Sequence, residues 1–252
     1  MATIDLNCDL GEGFGGWSMG DDAALLEVVT SANIACGFHA GDPQIMLATC
    51  RLAAERGVAI GAHVAYPDLR GFGRRPVPTT SDELFADVVY QVGALQAAAH
   101  AVGTRVGYVK PHGALYNVAV RDAAQADAVA AAVAAVDASL AVLALPGSEL
   151  LRAASDHGLA PISETYADRA FQPDGTLVPR GQPGSVLHDP GEIAKRVVRL
   201  VTDGVVTAID GTEVEVEARS VCVHGDTPGA AAIAARVRHG LAAAGVELRP
   251  FV

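Results

Sequence analysis

The sequence predicts an α/β protein built as a closed, TIM-like (β/α) barrel with about seven strands. The chain has 252 residues, close to the roughly 250 typical of one such barrel. Strand-like segments alternate with helical ones, a pattern that favours a parallel sheet covered on both faces. Within the strands, small or polar residues share one parity and larger apolar residues the other, as a narrow barrel interior requires. We expect one domain over residues 1–252, with an open doubly wound sheet as the alternative.

Each predicted element has a local signal. Apolar or alternating runs predict strands at about 3–10, 32–38, 58–64, 106–111, 141–145, 161–166 and 220–224. Asp42-Pro43 opens a helix, and Thr80 with Glu83 forms a capping box for a helix that continues to about His100. Further helices are predicted at 122–136, 148–157, 190–203 and 228–244, the last opened by Thr227-Pro228. Asp210-Gly211 predicts a hairpin inserted at about 205–218.

The first strand is the most informative segment of the chain. Its odd-numbered polar residues, Asp5, Asn7 and Asp9, share one face of a strand whose other face is apolar. Inside a sheet covered on both faces, each unpaired polar group costs about 1–3 kcal/mol. We therefore expect a functional site where this strand ends.

Charge and composition exclude several classes of function. The chain has 18 basic and 29 acidic residues, a net charge of −11, which disfavours nucleic acid and anionic membranes as partners. The first ten residues lack the basic region of a signal peptide, and the longest apolar run, 128–136, is too short to cross a bilayer. The four cysteines show no CxxC spacing. These features predict a cytoplasmic protein with reduced thiols.

The polar clusters all fall at the carboxyl ends of predicted strands, the end at which parallel β/α folds bind substrates. The clusters are Asp9 with Glu12; His39; His63 with Tyr66 and Asp68; Lys110 with His112; Glu164 with Asp168 and Arg169; and His224 with Asp226. Four of the eight histidines therefore belong to one expected site. The other four, His100, His157, His188 and His239, are expected on the surface.

Two loops could complete the site. Residues 67–80 include Arg70, Arg74 and Arg75, and guanidinium groups are effective clamps for carboxylates or phosphates. A solvated loop or a contact with another chain explains these arginines equally well. The stretch 170–190, which includes Arg180, could form a lid over the same end of the barrel.

Nucleotide-binding motifs are weak or absent. Residues 11–16 match GxGxxG, but no helix opens on the third glycine, and the preceding strand has acids that would repel a pyrophosphate. The sequence contains no P-loop, no GxSxG and no HExxH. Any ATP used in the reaction is therefore not bound through a P-loop of this chain.

Seven sequence blocks, distributed over almost the whole chain, resemble the LamB/YcsF family. They are 5–12 (DLNCDLGE), 33–43 (NIACGFHAGDP), 61–68 (GAHVAYPD), 71–75 (GFGRR), 109–117 (VKPHGALYN), 164–171 (ETYADRAF) and 222–228 (CVHGDTP). The resemblance implies a seven-stranded barrel of the glycoside hydrolase/deacetylase-like superfamily. It also implies an activity, the opening of 5-oxo-L-proline to L-glutamate coupled to ATP hydrolysis, with magnesium expected beside ATP, in a complex with two other oxoprolinase subunits (B and C).

The implied reaction suggests roles for the clustered residues. The lactam oxygen would be phosphorylated, water would attack the activated carbon, and the resulting acyl phosphate would hydrolyse. Asp9 or His63 is expected as the base, His112 or His224 as the acid, and Lys110 as the electrostatic stabiliser. The residues expected to bind substrate are Asn7, Glu12, His39, Arg70, Arg74, Glu164, Arg169 and Asp226.

Two other functions stay open at this point. One is a stand-alone, metal-dependent amide or ester hydrolase, with a divalent ion at Asp9, His39 and His63. The other is a non-catalytic subunit whose barrel binds the lactam while a partner performs the chemistry. Self-association is also left open.

Overall fold

The computed structural model describes residues 2–227 and 229–252. The described strands are β1 Thr3–Leu10, β2 Ser31–Ala35, β3 Ala59–Val64, β4 Val106–Pro111, β5 Ala141–Ala144, β6 Ala160–Tyr166, β7 Val205–Thr207, β8 Glu213–Glu215, β9 Ser220–Val223 and β10 Glu247–Leu248. Seven of them are parallel and close into a barrel in the order β1-β2-β3-β4-β5-β6-β9, and β9 pairs back onto β1. The predicted fold class is confirmed, and the open sheet is wrong.

Helices surround the barrel and follow its strands. The described helices are α1 Asp22–Leu26, α2 Pro43–Glu55, α3 Ser81–Ala101, α4 Gly113–Ala119, α5 Ala123–Val136, α6 Glu149–Asp156, α7 Pro190–Asp203 and α8 Ala230–Ala243. Asp42 caps α2 by accepting from the amides of Gln44 and Ile45. Both hydrogen bonds of the predicted capping box between Thr80 and Glu83 are present at α3.

The last helix differs from its prediction. It begins at Ala230 rather than 228, with Gly229 in the left-handed region (φ 78°) at the cap position. Pro228, on which the prediction relied, lies outside the described residues. Three short elements, α1, α4 and the two-residue β10, are not predicted by the sequence, because they contain too few periods of hydrophobic repetition to be recognised.

The two faces of the barrel strands have opposite character. Leu6, Cys8 and Leu10 belong to the large apolar core shared with the helices. The inward side chains include Tyr108, which packs against Phe251 with ring centroids 4.9 Å apart. Gly61 lies opposite Tyr108, and a Cβ at this glycine would stand 2.1 Å from the tyrosine ring. The narrow interior therefore requires glycine at position 61.

Between α7 and β9 the chain forms an antiparallel hairpin of β7 and β8, with Val206 opposite Val214. Among the described helices, none combines the length and apolarity needed to cross a membrane.

Candidate active site

A continuous hydrogen-bonded network begins on the inner face of β1. The Asn7 amide donates to Glu164 Oε2 (3.2 Å) and to Ser220 Oγ (2.7 Å), and its oxygen accepts from Asn33 (2.7 Å). Asn33 also donates to Asp9 Oδ1 (2.8 Å). The polar residues of the interior therefore satisfy one another, which is why a buried strand can accommodate them.

Lys110 is the cation of this network and is almost completely buried, at 1% exposure. Its Nζ lies 2.9 Å from Glu164 Oε2, 3.5 Å from Asp9 Oδ1 and 3.1 Å from Cys222 Sγ. Burial alone would lower the pKa of Lys110, but Asp9, Cys222 and Glu164 raise it well above its usual value. The ammonium therefore stays charged inside the barrel.

Asp9 is the matching anion. Burial opposes its ionisation, but Lys110 and His63 outweigh that effect and hold the pKa of Asp9 well below its usual value. The His63 Nε2 atom lies 3.3 Å from Asp9 Oδ1. A buried carboxylate that is ionised beside a lysine can orient water or a proton donor at the barrel mouth.

A second group of residues stands beside this ion pair, on β3 and on the segments that follow β1, β2 and β4. The Glu12 Oε1 atom lies 3.1 Å from His39 Nε2 and 3.5 Å from His112 Nδ1. The His39 and His112 rings stack with centroids 3.8 Å apart, and His112 Nδ1 lies 3.0 Å from His63 Nε2. One donor atom from each of these four residues lies within 4.8 Å of the others, so the cluster could hold a metal ion.

The titration of this group follows from burial and from its neighbours. Burial, His112 and His63 lower the pKa of His39 well below its usual value, and burial and His63 do the same for the pKa of His112. Burial, Asp9 and Asp226 raise the pKa of Glu12 well above its usual value. His39 and His112 are therefore held as neutral imidazoles.

His224 is held in a different way, by a carboxylate. Its Nδ1 lies 2.8 and 3.1 Å from the two oxygens of Asp168, which is fully buried and also accepts from Thr227 Oγ1 (3.1 Å). Burial opposes ionisation of Asp168, but His224 and Thr227 lower its pKa below the usual value. An ionised Asp168 fixes the proton of His224 on Nδ1 and leaves Nε2 free to exchange a proton.

The arginines predicted to bind substrate have different surroundings. Arg74 lines the cavity at the barrel mouth and pairs with Asp226. Arg169 lies in the cavity wall, but it donates to the backbone oxygens of Ser185 and Val178 and so fastens the 170–190 segment. Arg70 is exposed and is not among the residues that line the cavity.

The cavity at the barrel mouth has a volume of about 600 Å³. Nine of the thirteen predicted site residues line it: Asp9, Glu12, His63, Arg74, Lys110, His112, Arg169, His224 and Asp226. Asn7, His39 and Glu164 lie behind this wall, hydrogen-bonded to residues within it. Leu177, Val178 and Arg180 of the 170–190 segment form part of the same wall.

Several residues of the site have no role that the sequence alone predicts. Asp168 was placed in a polar cluster, but its pairing with His224 depends on β6 and β9 being neighbours across the closed barrel. Asn33 and Tyr108 could have been found from parity, because both share the inward face of their strands and Tyr108 donates to Asn33 Oδ1 (2.6 Å). Tyr116 and Tyr166 stand in two of the quoted blocks and line the cavity.

A closed parallel barrel with a buried lysine–carboxylate pair and clustered imidazoles at its mouth defines a class of β/α-barrel proteins with an enzyme-like site. Comparison with known proteins identifies the family within this class. The LamB/YcsF family model matches residues 4–252, and the chain belongs to this family.

Curated relatives match over the full length of the chain. The 5-oxoprolinase A subunit of Paracidovorax citrulli is 61% identical over 98% of this chain and 99% of its own length. The protein of the same name from Mycolicibacterium paratuberculosis is 60% identical over 100% of both chains. The crystal structure of a lactam utilization protein from Thermus thermophilus superposes with a TM-score of 0.95 at 46% identity, covering 99% of this chain and 100% of that one.

Proposed function

We propose that this chain is the A subunit of an ATP-dependent, cytoplasmic 5-oxoprolinase that converts 5-oxo-L-proline to L-glutamate together with two partner subunits. The observation on which the proposal rests most is the charged Asp9–Lys110 pair at the wall of the cavity, in a chain whose full-length relatives are named as 5-oxoprolinase A subunits. The lactam ring is small compared with the cavity of about 600 Å³, which leaves room for the phosphoryl group that activates it.

The overall reaction consumes one ATP and two waters. Phosphorylation of the lactam oxygen makes the ring carbon electrophilic, water adds to that carbon, and the carbon–nitrogen bond breaks as the ring nitrogen takes a proton. A second water then hydrolyses the acyl phosphate to glutamate and phosphate. In the first addition the C=N electron pair moves to the ring nitrogen, and loss of a proton from the added water gives an oxyanion whose collapse breaks the carbon–nitrogen bond. The second addition places negative charge on the acyl oxygen. A fixed cation beside the carbon therefore lowers the barrier of both steps.

The chain offers distinct groups for these steps. Lys110 stabilises the developing oxyanion, and Asp9 orients the attacking water. Of the two histidines considered as the acid, His224 has the better geometry, because its Nε2 is free while Nδ1 is held by Asp168. Both nitrogens of His112 already face His63 or the Phe72 carbonyl. Because the low pKa of Asp9 makes this carboxylate a weak base, we assign the proton transfer from water to His224 instead of the expected Asp9 or His63. His224 then delivers a proton to the ring nitrogen.

The substrate carboxylate requires a cation at the outer part of the cavity. Arg74 is available there and is only partly compensated by Asp226, whereas two of the Arg169 nitrogens are already engaged by backbone oxygens. We assign the carboxylate to Arg74. The chain has no P-loop, so ATP and its magnesium are assigned to the complex rather than to a nucleotide site in this barrel.

The test is glutamate release from 5-oxoproline with ATP, using this chain and its two partner subunits, with each component omitted in turn. We expect activity only from the complete mixture, with loss on Asp9→Asn. The exposed Asp127, which pairs with His157 on the surface, provides a matched Asp127→Asn control that should keep full activity.

Two results would contradict the proposal. Undiminished activity without this chain would remove it from the reaction. Glutamate release by this chain alone, with a divalent metal and no ATP, would replace the proposal by a stand-alone hydrolase.

A further inference from the structure

Two backbone carbonyls determine where the protons of His63 and His112 lie. His63 Nδ1 is 3.0 Å from the oxygen of Lys110, and His112 Nε2 is 2.9 Å from the oxygen of Phe72. A carbonyl oxygen can only accept, so each of these ring nitrogens must be the protonated one. If both rings are neutral, the remaining nitrogens, His63 Nε2 and His112 Nδ1, are both unprotonated.

These two unprotonated nitrogens face each other at 3.0 Å. Two lone pairs at this distance repel, because neither atom has a proton to donate. The arrangement therefore requires a positive species between or beside them, either a shared proton or a bound cation.

The surroundings favour a metal cation. Glu12 Oε1 lies 3.5 Å from His112 Nδ1 and 3.1 Å from His39 Nε2, so a carboxylate and a third imidazole converge on the same place. All four side chains are buried. A proton held between His63 and His112 would also face Asp9 Oδ1, 3.3 Å from His63 Nε2, but it would not engage His39 or Glu12. A metal ion can take one donor atom from every member of the cluster.

We propose that Glu12, His39, His63 and His112 form a divalent metal site of the zinc class. Three imidazoles and one carboxylate suit Zn²⁺ or a similar borderline ion, whereas Mg²⁺ prefers oxygen ligands and retained water. A bound ion of this class would supply Lewis acidity beside the cavity of the proposed function. The site does not depend on that function being correct.

The hydrogen bond made by the outer ring nitrogen of each histidine indicates how strongly that histidine would bind the metal. Metal-binding histidines nearly always donate their other ring N–H to a carbonyl or carboxylate, as His63 and His112 do here. His39 Nδ1 is buried without a hydrogen-bond partner among the described residues, so His39 is the weakest of the three imidazole ligands. Asp9 lies outside this set of four donors, and its Oδ1 accepts from Asn33, pairs with Lys110 and lies 3.3 Å from His63 Nε2.

The experiment is metal binding by the whole chain after treatment with a chelator. Calorimetric titrations with Zn²⁺ and with Mg²⁺ at neutral pH, followed by elemental analysis after dialysis, should show one tightly bound zinc per chain and no comparable binding of magnesium. Co²⁺ in place of zinc should give visible absorption bands that depend on His112. Activity is not measured, so failure of this site and failure of the proposed function are separate outcomes.

Variants locate the site. His63→Gln and His112→Gln should each weaken zinc binding by about 100-fold or more, and His39→Gln should weaken it by about 10-fold. His157→Gln, at an exposed histidine paired with Asp127, is the matched control and should bind zinc as the unaltered chain does. Circular dichroism identifies any variant that has lost its fold.

The proposal is overturned if the unaltered, folded chain retains no stoichiometric zinc after dialysis, a result that does not depend on any variant. It is equally overturned if folded His63→Gln and His112→Gln variants bind zinc with unchanged affinity. A ¹⁵N NMR spectrum of the zinc-treated chain with one proton shared between His63 and His112 would assign the positive species to a proton instead.

Discussion

Asp5 and Asp9 lie on the same face of the same strand, four residues apart, and reach opposite states of ionisation. Asp5 accepts from the hydroxyls of Thr30 (2.6 Å), Ser31 (2.6 Å) and Ser220, and burial raises its pKa to about 6. Asp9 has Lys110 and His63 as neighbours and a pKa far below its usual value.

This contrast shows what separates the floor of the barrel from its mouth. Hydroxyl groups satisfy the hydrogen bonds of a buried carboxylate but do not cancel its charge, so Asp5 remains easily protonated. A buried ammonium cancels the charge of Asp9, so the mouth keeps a fixed anion and cation. The same residue type is a structural group at one end of β1 and a candidate catalytic group at the other.

Removing the cation should have the largest effect on this contrast. Lys110→Met leaves Asp9 and Glu164 buried without a counter-charge, and we expect a loss of about 3–5 kcal/mol in the free energy of unfolding at neutral pH. Without Lys110 the pKa of Asp9 rises, so protonation should relieve part of the loss as the pH falls. Urea unfolding at two pH values measures this effect.

Lys195 provides the control for that variant. It is exposed and pairs with Glu192 on α7, so Lys195→Met should leave the free energy of unfolding close to that of the unaltered chain. If Lys110→Met lowers the free energy of unfolding equally at neutral and acidic pH, lost packing rather than an unpaired charge is the cause.

Replacing Asp9 and Asp5 individually by asparagine tests whether the two aspartates have different functions. Asp9→Asn should lower kcat for glutamate release by roughly 10²–10⁴-fold, because it removes a charged group that acts on the reacting water. Asp5→Asn should leave kcat within a few-fold of the unaltered complex. Equal losses in the two variants would mean that both residues act only by maintaining the barrel.

The carboxylate behind His224 extends the comparison to a third aspartate. Asp168→Asn keeps the shape but no longer fixes the proton of His224 on Nδ1, so we expect kcat to fall by about 10²-fold. The pH at which half of the activity is lost should also move, a change that a purely structural role would not produce. Activity profiles of both proteins across about pH 5–8 test this expectation.

The smallest effect concerns the pH dependence of stability. The pKa of Asp5 is about 6 in the folded chain, above the ordinary 3.8, so its contribution to stability is largest at low pH and is lost as the pH rises through 6. Between about pH 5 and pH 7 this amounts to about 1 kcal/mol. Asp5→Asn removes this pH dependence. The difference in the free energy of unfolding between the variant and the unaltered chain should therefore change by that amount across the same pH range. A difference that is constant across this range would contradict the raised pKa.

The sequence was sufficient to predict the barrel because its main signals are local or periodic. Alternation along β1, the Asp42 cap and the Thr80–Glu83 box all depend on residues close in sequence, and the structure retains each of them. The parallel arrangement then brings the strand ends together. Clustering of Asp9, Lys110 and the histidines at one rim follows from topology without any knowledge of distances.

Sequence patterns could not show how the clustered residues pair. Whether Arg169 faces a ligand or the backbone of Ser185 depends on the path of the 170–190 segment, which has no regular periodicity. The facing nitrogens of His63 and His112 depend on which carbonyl each ring reaches, Lys110 or Phe72. These are small differences in packing, and no residue spacing encodes them.

The packing of Tyr108 over Gly61 and against Phe251 closes the barrel at the end opposite the cavity, among the described residues. Tyr108, Asp5 and Ser31 are all at most 1% exposed, so no passage leads through the floor of the barrel that these described residues form. Whatever enters the cavity must leave by the same mouth. In the proposed reaction, glutamate has to depart before the next lactam can enter, and the product should therefore inhibit in competition with the substrate.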